Sequence, residues 1–364
     1  ADALPLAERI VDDLRAADGV TDAMFCGSLR RFSETVGDID ITVASTEPGP
    51  VMEVVRNHHE VTEVILSGDT KTSFLTAGGI QVDVRVVEPE QFGAATLYFT
   101  GSKAHNIALR QRAIDRGMLL NEYGLFGSEP EGGGVRPIVA RVSEREIYGA
   151  LDMAFVPAPM RESTGEIDTA STTGTGLPDL VERDHIVGDL HCHTTRSGDG
   201  RSSVEDMVQV AVDARFDYLA ITDHGVDLGG NGSTADEMLE HREHIARVQK
   251  DHPDMAIMWG CELNIGARGG LDYDAAFRSL FDYTVASVHS HFDQNPLDQT
   301  KRLIAAISDP SVDSIGHLSG RYIGRRPGIE FDVDVVLEAL LQFDVALEIN
   351  GALQRLDAAS DVVR

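Results

Sequence analysis

The chain has 364 residues, enough for two or three domains that each bury a core. Its 60 acidic against 31 basic residues give a formal net charge of −29, which taken alone argues against a polyanionic partner. Cys26, Cys192 and Cys261 are too few and too irregularly spaced for a disulfide framework or a zinc knuckle and fit a reducing, cytoplasmic setting; no apolar run is long enough for a membrane span, and no signal peptide opens the chain.

The first predicted element is a helix over Leu4–Val11. Next comes the run Gly27-Ser28-Leu29-Arg30-Arg31, continuing to Gly37-Asp38-Ile39-Asp40-Ile41. In an extended strand Asp38 and Asp40 share one face while Ile39 and Ile41 point into a core. An Asp-x-Asp alone reads as a solvated strand edge, but behind a Gly-Ser turn it reads as nucleotidyl transfer. Two neighbouring carboxylates repel and want a hard cation such as Mg²⁺. A third, Asp83, lies in the alternating run Ile80–Val87, which predicts a strand beside the first. Ser28, the amides after Gly27, and Arg31 are candidate phosphate contacts. Leu97-Tyr98-Phe99-Thr100-Gly101-Ser102 follows, with Tyr98 and Phe99 reading on spacing as core aromatics. Ala104–Arg116 has helical periodicity.

Residues 163–184 are polar, small and aperiodic over most of their length and predict a flexible linker. Beyond it, short apolar runs each end in a metal-binding residue type: His191-Cys192-His193, Asp223-His224, Cys261-Glu262, His289 and Gly316-His317. Helical periodicity separates them over 204–214 and 237–248. Such a pattern predicts a β/α barrel with one site at the C-terminal ends of its strands. Imidazole with carboxylate suits Zn²⁺, Mn²⁺ or Fe, and a cluster of such ions would activate water against a phosphoester. Cys192 alternates away from its neighbours and reads as core.

The run from Gly27 to Ile41 resembles the palm signature of the family X DNA polymerases. That resemblance implies a nucleotidyltransferase palm over 1–90, a mixed sheet with helices, and a small α+β thumb over 91–162. It implies that Asp38, Asp40 and Asp83 hold two Mg²⁺, with Asp83 accepting the primer hydroxyl proton. Gly27, Ser28, Arg31 and Gly37 belong by the same likeness to the nucleotide site. So do Tyr98 and Phe99 against the incoming sugar, Gly101 beneath it, Asn106 on the base edge and Arg110 toward the template. Lys103 departs from the animal members, which carry an acid there.

Residues 185–364 resemble the PHP domain, the polymerase and histidinol phosphatase fold, a distorted seven-stranded barrel with up to three metal ions. The likeness implies His191, His193, His224, Glu262, His289 and His317 as ligands. Asp199 fills the Asp-Gly position, one residue further from the His-x-His pair than is usual. The fold class expected is therefore α/β and multidomain, ending in an incomplete (β/α)7-type barrel. The family's N-terminal lyase and fingers modules and its closing Asp-x-His would lie outside this sequence. The implied activity is gap-filling synthesis with dNTP substrates on gapped or primer-template DNA, plus metal-dependent 3′–5′ exonuclease, 3′-end processing or abasic-site cleavage. Rival readings are a catalytically silent PHP domain, a small-molecule phosphatase fused to a transferase, and a template-independent transferase. Four lysines against 27 arginines resemble the usage of haloarchaeal proteins. In molar salt the Debye length shrinks to about 3 Å, so an acidic surface need not repel DNA beyond contact.

Overall fold

The computed structural model describes residues 3–363 and contains two compact units, Ala1–Asp179 and Leu180–Arg364. Among the described residues no helix is long and apolar enough to cross a membrane.

In the first unit α1 (Ala3–Arg15) buries Leu6, Ala7, Ile10, Val11 and Leu14, one face of a 3.6-residue repeat. There follow β1 (Val20–Phe25), the single turn α2 (Gly27–Arg30), β2 (Asp38–Ser45), α3 (Pro48–Arg56), β3 (Glu63–Ser67), β4 (Lys71–Leu75) and β5 (Gln81–Val87). They form a mixed sheet in the order β1-β2-β5-β4-β3, with β2 and β5 parallel and the other pairs antiparallel. Ile39 and Ile41 of β2 and Val82, Val84 and Val86 of β5 are buried in one core with α1 and α3. Period-2 alternation then leaves Asp38, Asp40 and Asp83 on the opposite face.

A second core is built by α4 (Phe92–Thr100), α5 (Lys103–Asp115), the antiparallel sheet of β6 (Leu119–Asn121), β7 (Gly124–Phe126) and β8 (Ile138–Ala140), α6 (Glu144–Ala150) and α7 (Glu166–Thr169). The Ser102 hydroxyl caps α5 by accepting the His105 N–H at 3.2 Å. The two cores are pinned by a buried ion triad. Glu144 takes both guanidinium nitrogens of Arg30 at 2.7 and 2.8 Å and both of Arg161 at 2.8 and 3.1 Å. Burial alone would push the Glu144 carboxyl up, but the hydrogen bonds from Arg30 and Arg161 outweigh it and bring it down to about 2. Its stabilisation is therefore present above the ordinary carboxyl range and lost as pH falls toward 2. Glu144→Gln leaves two buried guanidiniums under-compensated and is expected to cost about 3–5 kcal/mol, read as a lower urea midpoint at pH 7. The loss should shrink at pH 3, where the wild-type carboxylate is itself closer to protonation.

One expectation changes here. Part of the stretch predicted as a flexible linker is folded: Glu166 and Ala170 are buried, and the Ala154 N–H donates to the Ala170 carbonyl at 2.8 Å. The cause is a partner that composition hides. Glu166 accepts the amides of Ser163 and Thr164 at 3.0 and 2.7 Å and meets His105 Nδ1 at 2.6 Å, while His105 Nε2 lies 2.8 Å from the Tyr148 hydroxyl.

In the second unit six strands follow one another: β9 (Gly188–Cys192), β10 (Tyr218–Ile221), β11 (Ala256–Asn264), β12 (Tyr283–Ser287), β13 (Ser314–Ile315) and β14 (Ala346–Leu347). All pairs are parallel and adjacent in chain order. The crossovers carry α8 (Val204–Asp213), α9 (Ala235–Asp251), α10 (Ala275–Arg278), α11 (Pro296–Ile307) and α12 (Val333–Phe343), and α13 (Ser360–Val363) follows β14. Part of the acidic excess is spent on helix starts: Ser203 with Asp206, and Thr234 with Glu237, form reciprocal capping boxes. Because every strand runs the same way, all their C-terminal ends lie at one rim, where α/β sheets bind ligands. Cys26, Cys192 and Cys261 are buried free thiols, and Cys192 packs in the core as its alternation predicts.

Candidate functional sites

The first site follows from strand register. Asp40 is the direct partner of Asp83 across the parallel β2–β5 ladder, and Asp38 lies two residues back on the same face. Asp38 is exposed and the other two are half-buried. Burial and then the charges of Asp38 and Asp83 push the Asp40 carboxyl up to about 6. Asp83 goes the other way. Burial raises it, but hydrogen bonds from Lys71, Gln81 and Ser73 win, with Lys71 Nζ only 2.6 Å from Oδ2 and Gln81 Nε2 2.9 Å from Oδ1. Three carboxylates on one face, one of them held neutral into the acid range by its neighbours, are a donor set fitted to hard divalent cations.

Gly27 stands against this site at φ +63°, and a Cβ there would lie 2.6 Å from Asp40 Oδ2. A glycine is therefore required by both backbone and space. Gly27→Ala is expected to displace the Asp40 carboxylate and lower any metal-dependent turnover at this site by about 10²-fold with the fold retained, as measured by activity beside a circular dichroism spectrum. Ser28 follows in the same turn. Arg31 is committed on two sides, its Nε to Glu162 at 2.7 Å and its Nη1 to the Thr100 carbonyl at 2.6 Å. It ties the Gly-Ser turn to the end of α4, where Gly101 adopts φ +71° and leaves room for the guanidinium. Gly37 is exposed with open space around it, so nothing structural demands glycine there.

Tyr98, Asn106 and Arg110 come together with Leu120 and Asn121 around a small cleft, and Asn106 Nδ2 donates to the Tyr98 carbonyl at 2.7 Å. Phe99 sits edge-on to Tyr98 and lies under the Arg85 guanidinium, 4.4 Å from its ring centroid. Arg85 shares the β5 face with Asp83, so the aromatic pair abuts the carboxylate sheet. Lys71 and Glu144 escaped the sequence reading because their partners are long-range, as did the stacking of Arg85 on Phe99. Only the period-2 position of Arg85 relative to Asp83 offered a signal.

The second site gathers at the rim of the parallel strands. His191 and His193 leave β9, His224 follows β10, Glu262 lies in β11, His289 follows β12 and His317 follows β13. Glu262 is buried at the centre. Its Oε2 lies 3.3 Å from His191 Nε2, 3.2 Å from His193 Nε2 and 2.9 Å from His224 Nδ1. Its Oε1 lies 3.2 Å from His289 Nε2 and 3.0 Å from His317 Nε2. Asp199 reaches His224 Nε2 at 3.1 Å from its loop, despite the shifted spacing. Three overlapping groups have ligand atoms all within 4.8 Å of one another: His191, His193 and Glu262; His193, Asp199 and His224; His224, Glu262 and His289.

Both Glu262 oxygens and the Nδ1 atoms of His193, His224 and His317 are buried without a well-formed hydrogen bond. Orphaned donors of this kind, in imidazole-carboxylate groups, fit Zn²⁺, Mn²⁺ or Fe. The electrostatics agree. Burial works against the charged forms, yet Glu262 is held well below the usual carboxylate range by His191 and His289, and Glu262 and Glu348 raise His191 to about 10. The cavity wants positive charge, as protons or as metal.

Two supports were missed in the sequence. Glu348 accepts from His191 Nδ1 at 2.7 Å and from the His317 amide, fixing the ring nitrogen that faces away from Glu262. Asp223, fully buried, takes the Thr194 amide and hydroxyl, the Ser197 hydroxyl and His241 Nε2 at 2.7–2.8 Å, holding the loop that carries His193 and Asp199. Each adjoins a recognised motif, but a carboxylate that orients a ligand has no spacing rule of its own.

Comparison with known families assigns the parts. Residues 95–162 match the DNA polymerase beta thumb, and residues 189–352 match the PHP domain. Over 362 residues, 99% of the chain, the sequence is 36% identical to DNA polymerase/3'-5' exonuclease PolX of Bacillus subtilis (strain 168), of which it spans 62%. The chain therefore joins a stretch matching the polymerase beta thumb to one matching the PHP domain, in a sequence similar over nearly its whole length to that polymerase. The second unit alone is also similar to probable phosphatases, 29% identical over 167 residues in Caldicellulosiruptor saccharolyticus and 26% over 166 in Clostridium acetobutylicum, at 65% and 64% of their lengths.

Proposed function

We propose that this chain carries the palm, thumb and PHP portions of a DNA-directed DNA polymerase that fills short gaps during repair and processes 3′ ends with a second site. One observation carries the reading: the parallel register that sets Asp83 beside Asp40 and behind Asp38, in a chain similar along its length to a protein named for both activities. Asp38, Asp40 and Asp83 would hold Mg²⁺, and two such ions supply a more acidic primer hydroxyl and neutralisation of the transferred phosphate. Asp83, held in its charged form, accepts the hydroxyl proton. Gly27 gives the nucleotide phosphates close access to Asp40, with Ser28 and Arg31 as their contacts. Tyr98 and Phe99 wall the sugar, Gly101 leaves room beneath it, Asn106 meets the base and Arg110 the template.

At the second site His191, His193, Asp199, His224, Glu262, His289 and His317 would hold up to three Zn²⁺, Mn²⁺ or Fe ions, which supply an activated water for phosphodiester hydrolysis. Glu348 fixes the His191 ring, and Asp223 fixes the loop beneath Asp199. The packing of five imidazoles on Glu262 favours an active PHP site over a silent one. DNA and dNTPs are the implied partners and the cytoplasm the implied compartment. The acidic, lysine-poor surface fits work in molar salt, where short-range arginine contacts hold DNA better than a diffuse field.

The test is a labelled primer on a gapped template in molar KCl. With dNTPs and Mg²⁺ the primer should be extended, and without dNTPs but with Mn²⁺ it should be shortened. A primer that is never extended refutes the polymerase. A primer that is never shortened leaves the second site to some other phosphoester.

A further inference from the structure

The chain has four lysines against 27 arginines, yet one of the four, Lys71, lies 2.6 Å from Asp83. Among the described residues it is the one basic side chain within 4.0 Å of any of the three palm carboxylates. It stands on β4, directly opposite Arg85 and two ladder positions from the Asp83–Ser73 pair. Its charge also acts across the sheet to offset the repulsion felt by Asp40. An ammonium is a compact point charge with rotatable donors, where a guanidinium is a planar fork that holds a carboxylate by two parallel bonds. A compact cation suits a place that an ion must later take over. Gln81 anchors the other Asp83 oxygen at 2.9 Å, so the carboxylate keeps its position when Oδ2 exchanges partners.

We propose that Lys71 is an internal counter-cation of the palm: its ammonium holds Asp83 before a divalent ion arrives and competes with that ion for the same oxygen, setting the ion concentration at which the site fills. The proposal rests on the polymerase reading of the palm but concerns binding, not turnover. Lys71 is a positioning residue that touches neither primer nor nucleotide in this role. Because the pair is in contact, the competition persists at molar salt, where charges further apart are screened.

The experiment counts Mn²⁺ bound to the whole chain by electron paramagnetic resonance, without DNA or nucleotide, in 1 M KCl. Palm ions are defined as those lost in Asp40→Asn, which separates them from ions held by the histidine cluster. Lys71→Met should bind the palm ions more tightly by about tenfold, since a positive charge beside the ligand is gone, while Lys71→Arg, which keeps the charge and can grip the carboxylate by two parallel bonds, should bind them no more tightly than wild type. A merely structural lysine would give weaker binding on removal, so an unchanged or higher dissociation constant in Lys71→Met overturns the proposal. If Asp40→Asn removes no Mn²⁺ at all, the palm reading falls and this inference with it. If Asp40→Asn removes ions that Lys71→Met does not tighten, the palm reading stands and only the role of Lys71 is refuted.

Discussion

Asp40→Asn should abolish primer extension, by about 10³-fold or more, while making the metal-free protein more stable. The two halves of that result have one cause. Asp40 is half-buried between two like charges, and its carboxyl is raised to about 6. For an acid raised in the folded state, the stabilising contribution is present below the unfolded value near 3.8 and lost as pH rises through about 6. At pH 7 the ionised group is therefore a net burden on the fold until a cation neutralises it. Asparagine has the same shape and no charge, so it relieves the repulsion and removes a ligand together. Discounted for solvent screening, the gain is about 1 kcal/mol, enough to raise the melting temperature by a few degrees at pH 7.5 and by almost nothing at pH 4. Thermal melts with a chelator present, beside the extension assay, check both. Loss of extension with loss of stability would mean a misfolded palm. Retained extension would mean that Asp40 is not a ligand.

That pairing shows why so much of the palm was legible in the sequence. Asp38 and Asp40 are two residues apart on a strand whose other face is Ile39 and Ile41, so local periodicity places them without knowledge of the fold. Asp83 needed only the further assumption that two such strands pair. The histidines were legible for a similar reason: each ends an apolar run, and parallel strands bring their ends together whatever lies between. What the sequence withheld is contact set by neither period nor spacing. Lys71 reaches Asp83 across an antiparallel ladder, Arg30 and Arg161 meet on Glu144 from 114 and 17 residues away, and Glu348 supports His191 from just past β14. The folded stretch around Glu166 belongs with these. Its composition reads as a linker, and its order comes from one carboxylate that finds a buried histidine and two amides. The resemblance to the family X polymerases implied roles for Tyr98, Asn106 and Arg110 that their spacing alone did not.

Glu262→Gln should strip the second site of metal and lower 3′ shortening by about 10³-fold, with extension within about twofold of wild type. Glu262 is the carboxylate that all five histidines share, with imidazole nitrogens 2.9–3.3 Å from its two oxygens. A glutamine offers one oxygen and an NH₂ whose hydrogens oppose any nitrogen that must face a metal. It also removes the buried negative charge that draws cations in. Metal analysis of the purified protein should find fewer ions than in wild type, lost from this site and not from the palm. The substitution carries a cost of its own. In the metal-free protein Glu262 is held far below the usual carboxylate range by His191 and His289, so neutralising it removes the central charge of a buried cluster and can cost about 3–5 kcal/mol. Glu262→Asp separates the two effects, since it keeps the charge and shortens the reach: the fold should survive, as judged by an unchanged near-ultraviolet dichroism spectrum, while metal content and shortening still fall. Because the carboxylate triad and the histidine cluster sit in separate compact units, extension is the internal control. A Glu262→Asp protein that folds, loses its metal and still shortens primers would move the hydrolytic activity out of this cluster.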